Sequence, residues 1–222
     1  MTAPRPLTIA IDGPAGSGKT TVARAVAEAL SLPHLDTGAM YRAATLKALA
    51  LGIPVSDGDA LAAMLASTSI DLRNGCVLLD DRDVSSDVRG ADVTAAVSDL
   101  AAQPAVRAWM LRRQRDLAAE RGGVMEGRDI ATVVLPDADL KVFLTASPEE
   151  RARRRAAELA SEGREAPVEQ VGAAMAERDR LDSGRAVAPL RVSEGAVVID
   201  STGKTVAEVV DEIVARAHSR AH

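Results

Sequence analysis

Residues 13–20 constrain the fold of this chain more than any other part of its sequence. They read Gly13-Pro14-Ala15-Gly16-Ser17-Gly18-Lys19-Thr20. This run fits the pattern G-x-x-x-x-G-K-[ST] at every position. A short apolar run rich in strand formers precedes it at 7–11, and apolar residues recur at helical spacing over 20–30. A glycine-rich turn that joins a strand to a helix in this way predicts an α/β fold.

The residue types of this loop suit the binding of a nucleoside triphosphate. Glycines allow the backbone to wrap closely around phosphate groups, and the N-terminus of the following helix adds positive potential at the same place. The ammonium group of Lys19 is expected to reach the β- and γ-phosphates, and the hydroxyl group of Thr20 is expected to bind Mg²⁺. We therefore predict that ATP and Mg²⁺ bind at residues 13–21, of which Thr21 is the last.

Strand and helix patterns alternate along most of the remaining chain. Strand candidates lie at 33–36, 123–126, 140–145 and 196–200, and helix candidates at 37–51, 91–102, 105–121, 168–182 and 206–217. A further, charged helix opens at Pro148, and Thr37 is the predicted N-cap of the helix at 37–51. Such alternation predicts a mostly parallel sheet with helices on both of its faces.

A predicted hairpin interrupts this alternation. Asn74-Gly75 stands between the strand candidates 69–73 and 76–80. Asn-Gly between two such segments is the strongest short-range signal for a β-hairpin. We therefore predict a single domain over residues 1–222, in which a five-stranded parallel core sheet carries a small antiparallel insertion at about 37–107.

Composition narrows the classes of partner. The net charge of -5 does not suit a protein whose whole surface follows nucleic-acid phosphates, so no nucleic-acid partner is expected. Cys76 is the single cysteine of the sequence, which excludes an intrachain disulfide and a cysteine-based metal site. The sequence has no run of about 18 apolar residues and no signal-peptide pattern. We expect a cytoplasmic monomer without membrane contact.

The phosphate loop alone does not identify the phosphoryl acceptor. The sequence has no Asn-Lys-x-Asp motif for guanine and is short for a motor ATPase, which leaves small-molecule kinases as the leading class. Phosphoryl transfer requires positive charges that converge on the phosphates. Arg42, Arg128 and Arg185 lie beside strand or helix ends, where open α/β sheets bind their ligands. Arg112 and Arg113 are interpreted as solvated surface side chains.

Further segments form an ordered set along the chain. They are LDTGAMYR at 35–42, DVSSDVR at 83–89, EGRD at 126–129, RD at 178–179 and RAVAPL at 185–190. In this order they resemble the bacterial cytidylate kinase family of P-loop nucleoside monophosphate kinases. The resemblance extends from residue 8 to about residue 213. It implies a kinase that transfers the γ-phosphate of ATP to CMP or dCMP.

The resemblance also implies roles for individual residues. The implied catalytic residues are Lys19, Arg128 and Arg154. Arg151 and Arg155 are implied to bind ATP within a lid at about 151–167, and the insertion is implied to bind the acceptor. The residues implied to bind CMP are Thr37, Arg42, Ser98, Arg107, Arg128, Asp129, Arg178, Asp182 and Arg185.

Three of these residues are implied to read the cytosine base, namely Ser98, Arg107 and Asp129. Their chemistry agrees with this role. Cytosine has an amino donor and two acceptors along its pairing edge, so that a carboxylate can accept from the amino group and an arginine can donate to the acceptors. Uracil would place an oxygen opposite the carboxylate of Asp129, and neither group would have a partner.

Two classes of alternative remain at this point. The first is another small-molecule P-loop kinase that acts on UMP, AMP, shikimate or gluconate. A kinase of sugar acids would have no use for a set of residues that reads a base. The second is a catalytically idle nucleotide-binding regulator or an RNA-binding protein. The intact Lys19, Thr20 and Arg128 argue against an idle site, and the acidic balance of the chain argues against RNA.

Overall fold

A computed structural model describes residues 6–73, 75–161, 163–185 and 187–219. Asn74 of the predicted hairpin turn, Glu162 of the predicted lid and Ala186 of the RAVAPL segment lie outside the described residues. The chain divides into two compact units, which we call the core unit (residues 1–34 and 122–222) and the inserted unit (residues 35–121). The insertion predicted at about 37–107 falls within the second of them.

A five-stranded sheet organises the core unit. Its strands are β1 (Thr8–Asp12), β2 (His34–Asp36), β6 (Gly123–Gly127), β7 (Leu140–Thr145) and β8 (Val197–Asp200), where β2 crosses the boundary between the units. Their order is β2-β6-β1-β7-β8, and β1 pairs in parallel with both β6 and β7. The parallel core sheet predicted from the alternation of strands and helices is confirmed.

Helices accompany this sheet. They are α1 (Lys19–Ala29), α6 (Pro148–Ser161), α7 (Val168–Gly184) and α8 (Val206–His218), and a single π-helical turn lies at Ile130–Val134. Every residue of β1 is buried, and Ile9 and Ile11 belong to one apolar cluster with side chains from α1 and α8. A strand that is buried on both faces needs a continuous apolar run, which explains why residues 7–11 show no alternation.

The inserted unit combines helices with a small antiparallel sheet. Its elements are α2 (Thr37–Ala50), α3 (Gly58–Ala66), β3 (Ile70–Arg73), β4 (Cys76–Leu79), β5 (Arg82–Asp83), α4 (Ala91–Ala102) and α5 (Pro104–Arg121). β3 and β4 pair antiparallel with Arg73 opposite Cys76, which confirms the predicted hairpin. β5 extends the sheet to three strands in the order β3-β4-β5, and this third strand was not predicted.

Two local predictions were wrong. Thr37 is the first residue of α2 rather than its N-cap, because the side chain of Asp36 accepts the hydrogen bond from the backbone N–H of Ala39 (3.0 Å). Arg113 is not a solvated surface side chain, because its Nε donates to the carbonyl oxygen of Ile70 (3.0 Å) and its guanidinium lies 3.6 Å from Asp71. Neither contact can be read from the helical pattern of the sequence, because Asp36 precedes α2 and because Ile70 and Asp71 belong to β3.

A helix that spans a lipid bilayer needs about 20 predominantly apolar residues, and no helix within the described ranges meets this requirement.

Candidate active site

The loop between β1 and α1 has the backbone conformation that its glycines were expected to allow. Gly13 lies so close to β7 that a Cβ atom at this position would be 2.0 Å from the carbonyl oxygen of Leu144. Only glycine can therefore begin the loop here. Gly18 has a φ of 89° and directly precedes α1, whose N-terminus and free backbone N–H groups favour an anion.

Lys19 is buried at the base of this loop, with 6% of its surface exposed. Its Nζ donates to the carbonyl oxygen of Pro14 (2.7 Å). Burial lowers the pKa of Lys19 well below its usual range, the positive charge of Arg128 lowers it further, and the carboxylates of Glu126 and Asp12 oppose the shift. A bound polyanion would restore the charged ammonium group, so the site favours the binding of an anion beside Lys19.

Asp12 connects the loop to the next segment of the site. Its two carboxylate oxygens accept hydrogen bonds from the backbone N–H groups of Ile130 (2.9 Å) and Ala131 (2.7 Å). Burial raises the pKa of Asp12 to about 6, against the effect of these two hydrogen bonds, and the charge of Asp129 raises it further. The carboxylate thus fixes the turn that follows Arg128 and Asp129 relative to the end of β1.

A hydroxyl group and a carboxylate meet beside the loop. Thr20 Oγ1 donates to Glu126 Oε2 (3.0 Å), and His34 Nε2 lies 2.9 Å from Glu126 Oε1. Across the described ranges no cluster of three or more His, Cys, Asp or Glu side chains could hold a metal ion. A hydroxyl and one carboxylate fit Mg²⁺, which usually takes one or two protein ligands together with phosphate oxygens and water.

Two of the predicted acceptor arginines share one carboxylate. Arg128 Nε donates to Asp182 Oδ2 (2.9 Å), and the guanidinium of Arg185 donates to Asp182 Oδ1 (2.5 Å). Asp182 is 1% exposed. Arg178 lies one helical turn earlier on α7 and is half-buried. Two guanidinium groups around one carboxylate leave a net positive charge, which suits a phosphate group.

The three arginines predicted for the lid lie on α6 and differ in their partners. Arg154 donates to the carbonyl oxygen (2.7 Å) and hydroxyl oxygen (2.9 Å) of Ser201 and to Glu150 (2.8 Å). Arg151 donates to the carbonyl oxygen of Ala15 in the phosphate loop (3.0 Å). Arg155 forms an ion pair with Glu158 (2.6 Å). Thr21, predicted to bind ATP, is exposed on α1.

The remaining predicted acceptor residues belong to the inserted unit. Thr37 is 3% exposed, and Ser98 is half-buried on α4. Arg42 donates to Thr94 Oγ1 on α4 (2.9 Å). Arg107 is 8% exposed, donates to the carbonyl oxygen of Ala101 (3.3 Å), and has its guanidinium carbon 6.0 Å from the centre of the Tyr41 ring. Within this unit the structure thus places both arginines against α4.

The cytidylate kinase family model matches residues 9–219 of this chain. The chain belongs to the cytidylate kinase family. A cytidylate kinase of Desulforamulus reducens is 53% identical over 209 residues, which are 93% of this chain and 94% of that relative. A cytidylate kinase of Geobacillus kaustophilus is 50% identical over 220 residues, which are 97% of this chain and 98% of that relative.

Other cytidylate kinase relatives have a longer chain. A bifunctional pantoate ligase/cytidylate kinase of a Synechococcus species is 48% identical over 217 residues, which are 95% of this chain but 40% of that relative. This chain therefore spans less than half of the bifunctional protein.

Solved structures share the fold of this cytidylate kinase family member. An uncharacterized protein from Eubacterium ventriosum matches with a TM-score of 0.54 at 15% identity and covers 96% of this chain and 99% of its own. TT1252 from Thermus thermophilus matches with a TM-score of 0.50 at 19% identity and covers 97% of this chain and 98% of its own. At these identities the likeness concerns the fold alone.

Sequence reasoning missed several residues of this cytidylate kinase site. Asp12, His34 and Ser201 received no role. Asp12 ends a buried strand and directly precedes the first glycine of the loop, and this position is the sequence signal that could have identified it as a site residue. Ser201 carries no such signal, because its partners Thr145 and Arg154 are 56 and 47 residues away in the chain.

Proposed function

We propose that this chain is a cytidylate kinase, which transfers the γ-phosphate of ATP to CMP or dCMP and releases ADP with CDP or dCDP. One observation carries the proposal: a phosphate loop with a buried Lys19 lies in a chain that is 53% identical to a cytidylate kinase over 94% of that relative's length. The phosphate loop alone does not identify the acceptor, because phosphate loops serve many enzymes.

On the donor side we assign residues 13–21 and the N-terminus of α1 to the ATP phosphates. Lys19 would compensate the charge of the migrating phosphoryl group, and Arg154 would add a second positive charge from α6. Arg151 and Arg155 would complete the ATP side, the latter after it exchanges its partner Glu158. Thr20 and Glu126 would hold Mg²⁺, which neutralises charge between the β- and γ-phosphates when it is bound.

On the acceptor side we assign Arg128 and Arg185 to the phosphate of CMP, with Asp182 as the carboxylate that orients both. Arg42, Arg178 and Thr37 are further acceptor ligands in this proposal. Ser98, Arg107 and Asp129 would read the cytosine base.

The reaction itself requires no covalent intermediate with the protein. A phosphate oxygen of CMP forms the new bond to the γ-phosphorus while the bond to the oxygen that bridges the β- and γ-phosphorus breaks. The second pKa of a phosphate monoester is about 6, so the attacking oxygen is already deprotonated at neutral pH and needs no general base. The protein aligns the two oxygens and neutralises the charge that develops between them.

We further propose a single catalytic domain with an acceptor-binding insertion at about 37–107 and a lid at about 151–167. Closure of the lid would exclude water, which would otherwise hydrolyse ATP. A cytoplasmic monomer with no nucleic-acid partner and no membrane contact completes the proposal.

A substrate panel tests this function. The purified chain is incubated with ATP and Mg²⁺ and with CMP, dCMP, UMP, AMP, gluconate or shikimate, and the formation of ADP is measured. We expect CMP or dCMP to give the highest kcat/KM. A higher value with AMP or a sugar acid would replace the proposed acceptor, and no ADP with any acceptor would favour the idle nucleotide-binding alternative.

A further inference from the structure

Side chains of the helices α6 and α7 contact the tip of the phosphate loop, which consists of Ala15 and Gly16. Asp179 on α7 accepts a hydrogen bond at Oδ1 from the backbone N–H of Ala15 (3.1 Å). Arg151 on α6 donates to the carbonyl oxygen of the same residue (3.0 Å) and to Asp179 Oδ2 (2.5 Å). An ion pair between two helices therefore binds both polar backbone groups of one residue of the loop.

These two side chains are well placed to hold the loop rigidly. The side chain of Arg151 is 11% exposed and that of Asp179 is 18% exposed, so solvent competes little for their hydrogen bonds. Arg151 Nε also donates to the carbonyl oxygen of Ala146, which follows the end of β7 (3.2 Å). The guanidinium thus connects the loop to the sheet and to α7 at once.

Packing at the loop tip supports the same conclusion. Ala15 is buried in an apolar cluster with Val171 and Met175 of α7. Gly16 has a φ of 70°, and a Cβ atom there would lie 2.5 Å from Met175 Cε and 3.0 Å from the carbonyl oxygen of Arg151. The α6–α7 pair therefore forms a close-fitting surface for residues 15–16.

Glycine-rich loops lose much conformational entropy when they are ordered. If the loop were free before ATP binds, this loss would weaken ATP binding, and a contact that orders the loop beforehand removes the penalty. Asp179 cannot serve as a phosphate ligand, because its carboxylate carries the same sign of charge as ATP. Its effect on ATP must therefore act through Ala15.

We propose that Asp179, together with Arg151, is a positioning residue that holds the phosphate loop in its ATP-binding conformation before ATP arrives. The inference rests on the proposed function in one respect, namely that ATP is the ligand of the loop. It assigns Asp179 a role on the donor side of the site, whereas Asp182, one turn later on the same helix, orients the acceptor arginines.

The direction of the effect makes the proposal testable. We expect Asp179→Ala to weaken the binding of a non-hydrolysable ATP analogue about tenfold, as measured by calorimetry without an acceptor, because ordering a single residue already has an effect of this size. The Kd for CMP should stay within about twofold. If the carboxylate acted only through its charge, its removal would strengthen ATP binding, and that result would overturn the proposal.

Three further variants make the test specific. Asp179→Asn keeps an acceptor for the N–H of Ala15 but loses the ion pair, so its ATP affinity should lie between those of the wild type and Asp179→Ala. Arg153→Ala on α6 and Glu177→Ala on α7 are matched controls, because both side chains are exposed and belong to local i,i+3 pairs on the same two helices. Both controls should bind ATP as the wild type does.

A double-mutant cycle tests whether Arg151 and Asp179 act on ATP binding together through Ala15 or whether each substitution weakens ATP binding independently. Arg151→Ala and Asp179→Ala together should weaken ATP binding no more than about twofold beyond the worse single variant, because either change already releases Ala15. Additive losses, or an equal loss of CMP affinity, would overturn the proposal. If Asp179→Ala does not fold, the same comparison is made with Asp179→Asn and Arg151→Lys.

The wild type distinguishes failure of this inference from failure of the proposed function. A wild-type chain that binds the ATP analogue but does not phosphorylate CMP refutes the proposed function alone, and the ATP measurements still decide the role of Asp179. A wild-type chain that does not bind the ATP analogue refutes both.

Discussion

The variant Asp182→Ala measures how much the hydrogen bonds of this carboxylate to Arg128 and Arg185, the arginines proposed to bind the phosphate of CMP, contribute to the free energy of unfolding. Asp182→Ala removes a 1% exposed carboxylate that accepts from Arg128 at 2.9 Å and from Arg185 at 2.5 Å. A hydrogen bond to a charged group contributes about 1.5–3 kcal/mol, so two of them suggest roughly 3–6 kcal/mol. The side chains of Arg128 and Arg185 are 20% and 13% exposed, and water will partly solvate them in the variant. We therefore expect the free energy of unfolding to fall by about 3 kcal/mol.

Urea unfolding followed by far-ultraviolet circular dichroism measures this loss. Asp211→Ala, which removes an exposed carboxylate on α8, is the control and should change the free energy of unfolding by less than about 0.5 kcal/mol. In the kinetic assay, Asp182→Ala should raise the KM for CMP more than the KM for ATP. A loss of stability below about 1 kcal/mol, or equal changes in both KM values, would refute the assignment of Asp182 as the carboxylate that orients the two arginines.

Four further predictions follow from the site. Lys19→Ala should abolish transfer while CMP binding survives, and near-normal turnover would exclude a working phosphate loop. CMP should exceed UMP at least about tenfold in kcat/KM, and Asp129→Ala should narrow that ratio; an unchanged ratio would remove Asp129 from base recognition. Hydrogen exchange over 151–167 should slow when ATP and CMP are both bound, whereas equal exchange would argue against a lid. Because the pKa of Asp12 is raised from 3.8 to about 6, the folded state binds this proton more tightly, and its stability relative to Asp12→Asn should fall as the pH rises from about 4 to 6, by up to about 3 kcal/mol in urea unfolding.

Local patterns were sufficient for most of the fold. β7 matches its predicted bounds of 140–145 because a short run of strand formers such as Val142-Phe143-Leu144 is a local feature. The Asn-Gly signal identified the β3–β4 hairpin for the same reason. By contrast, no helix was predicted at Gly58–Ala66, and the two residues of β5 are too few to form a pattern. Short elements of this kind are stabilised by tertiary contacts, which a local pattern does not contain.

The residues of the candidate site likewise divide into those that a local sequence pattern predicts and those that it does not. Lys19 and Thr20 could be predicted because one contiguous motif specifies their chemistry. Asp179 could not be given its partner, because the residue whose N–H it accepts is 164 positions earlier in the chain. Arginines could be recognised as phosphate-site candidates from their places beside strand and helix ends. Asp182 was implied as a CMP ligand, but its hydrogen bonds to Arg128 and Arg185 could not be predicted. Contacts at such sequence separation arise only when the sheet is assembled.

The contacts of α6 limit where a lid can move. Arg151 holds Ala15 of the phosphate loop, and Arg154 holds Ser201, whose hydroxyl in turn donates to the carbonyl oxygen of Thr145 (3.0 Å). The first turns of α6 are therefore bound to the loop and to the ends of β7 and β8. Residues 156–167 lie beyond these two anchors. If Arg151 and Arg154 keep these contacts when ATP binds, the movement of the proposed lid at 151–167 is confined to its part after Arg155, because a movement of the whole helix would displace Ala15.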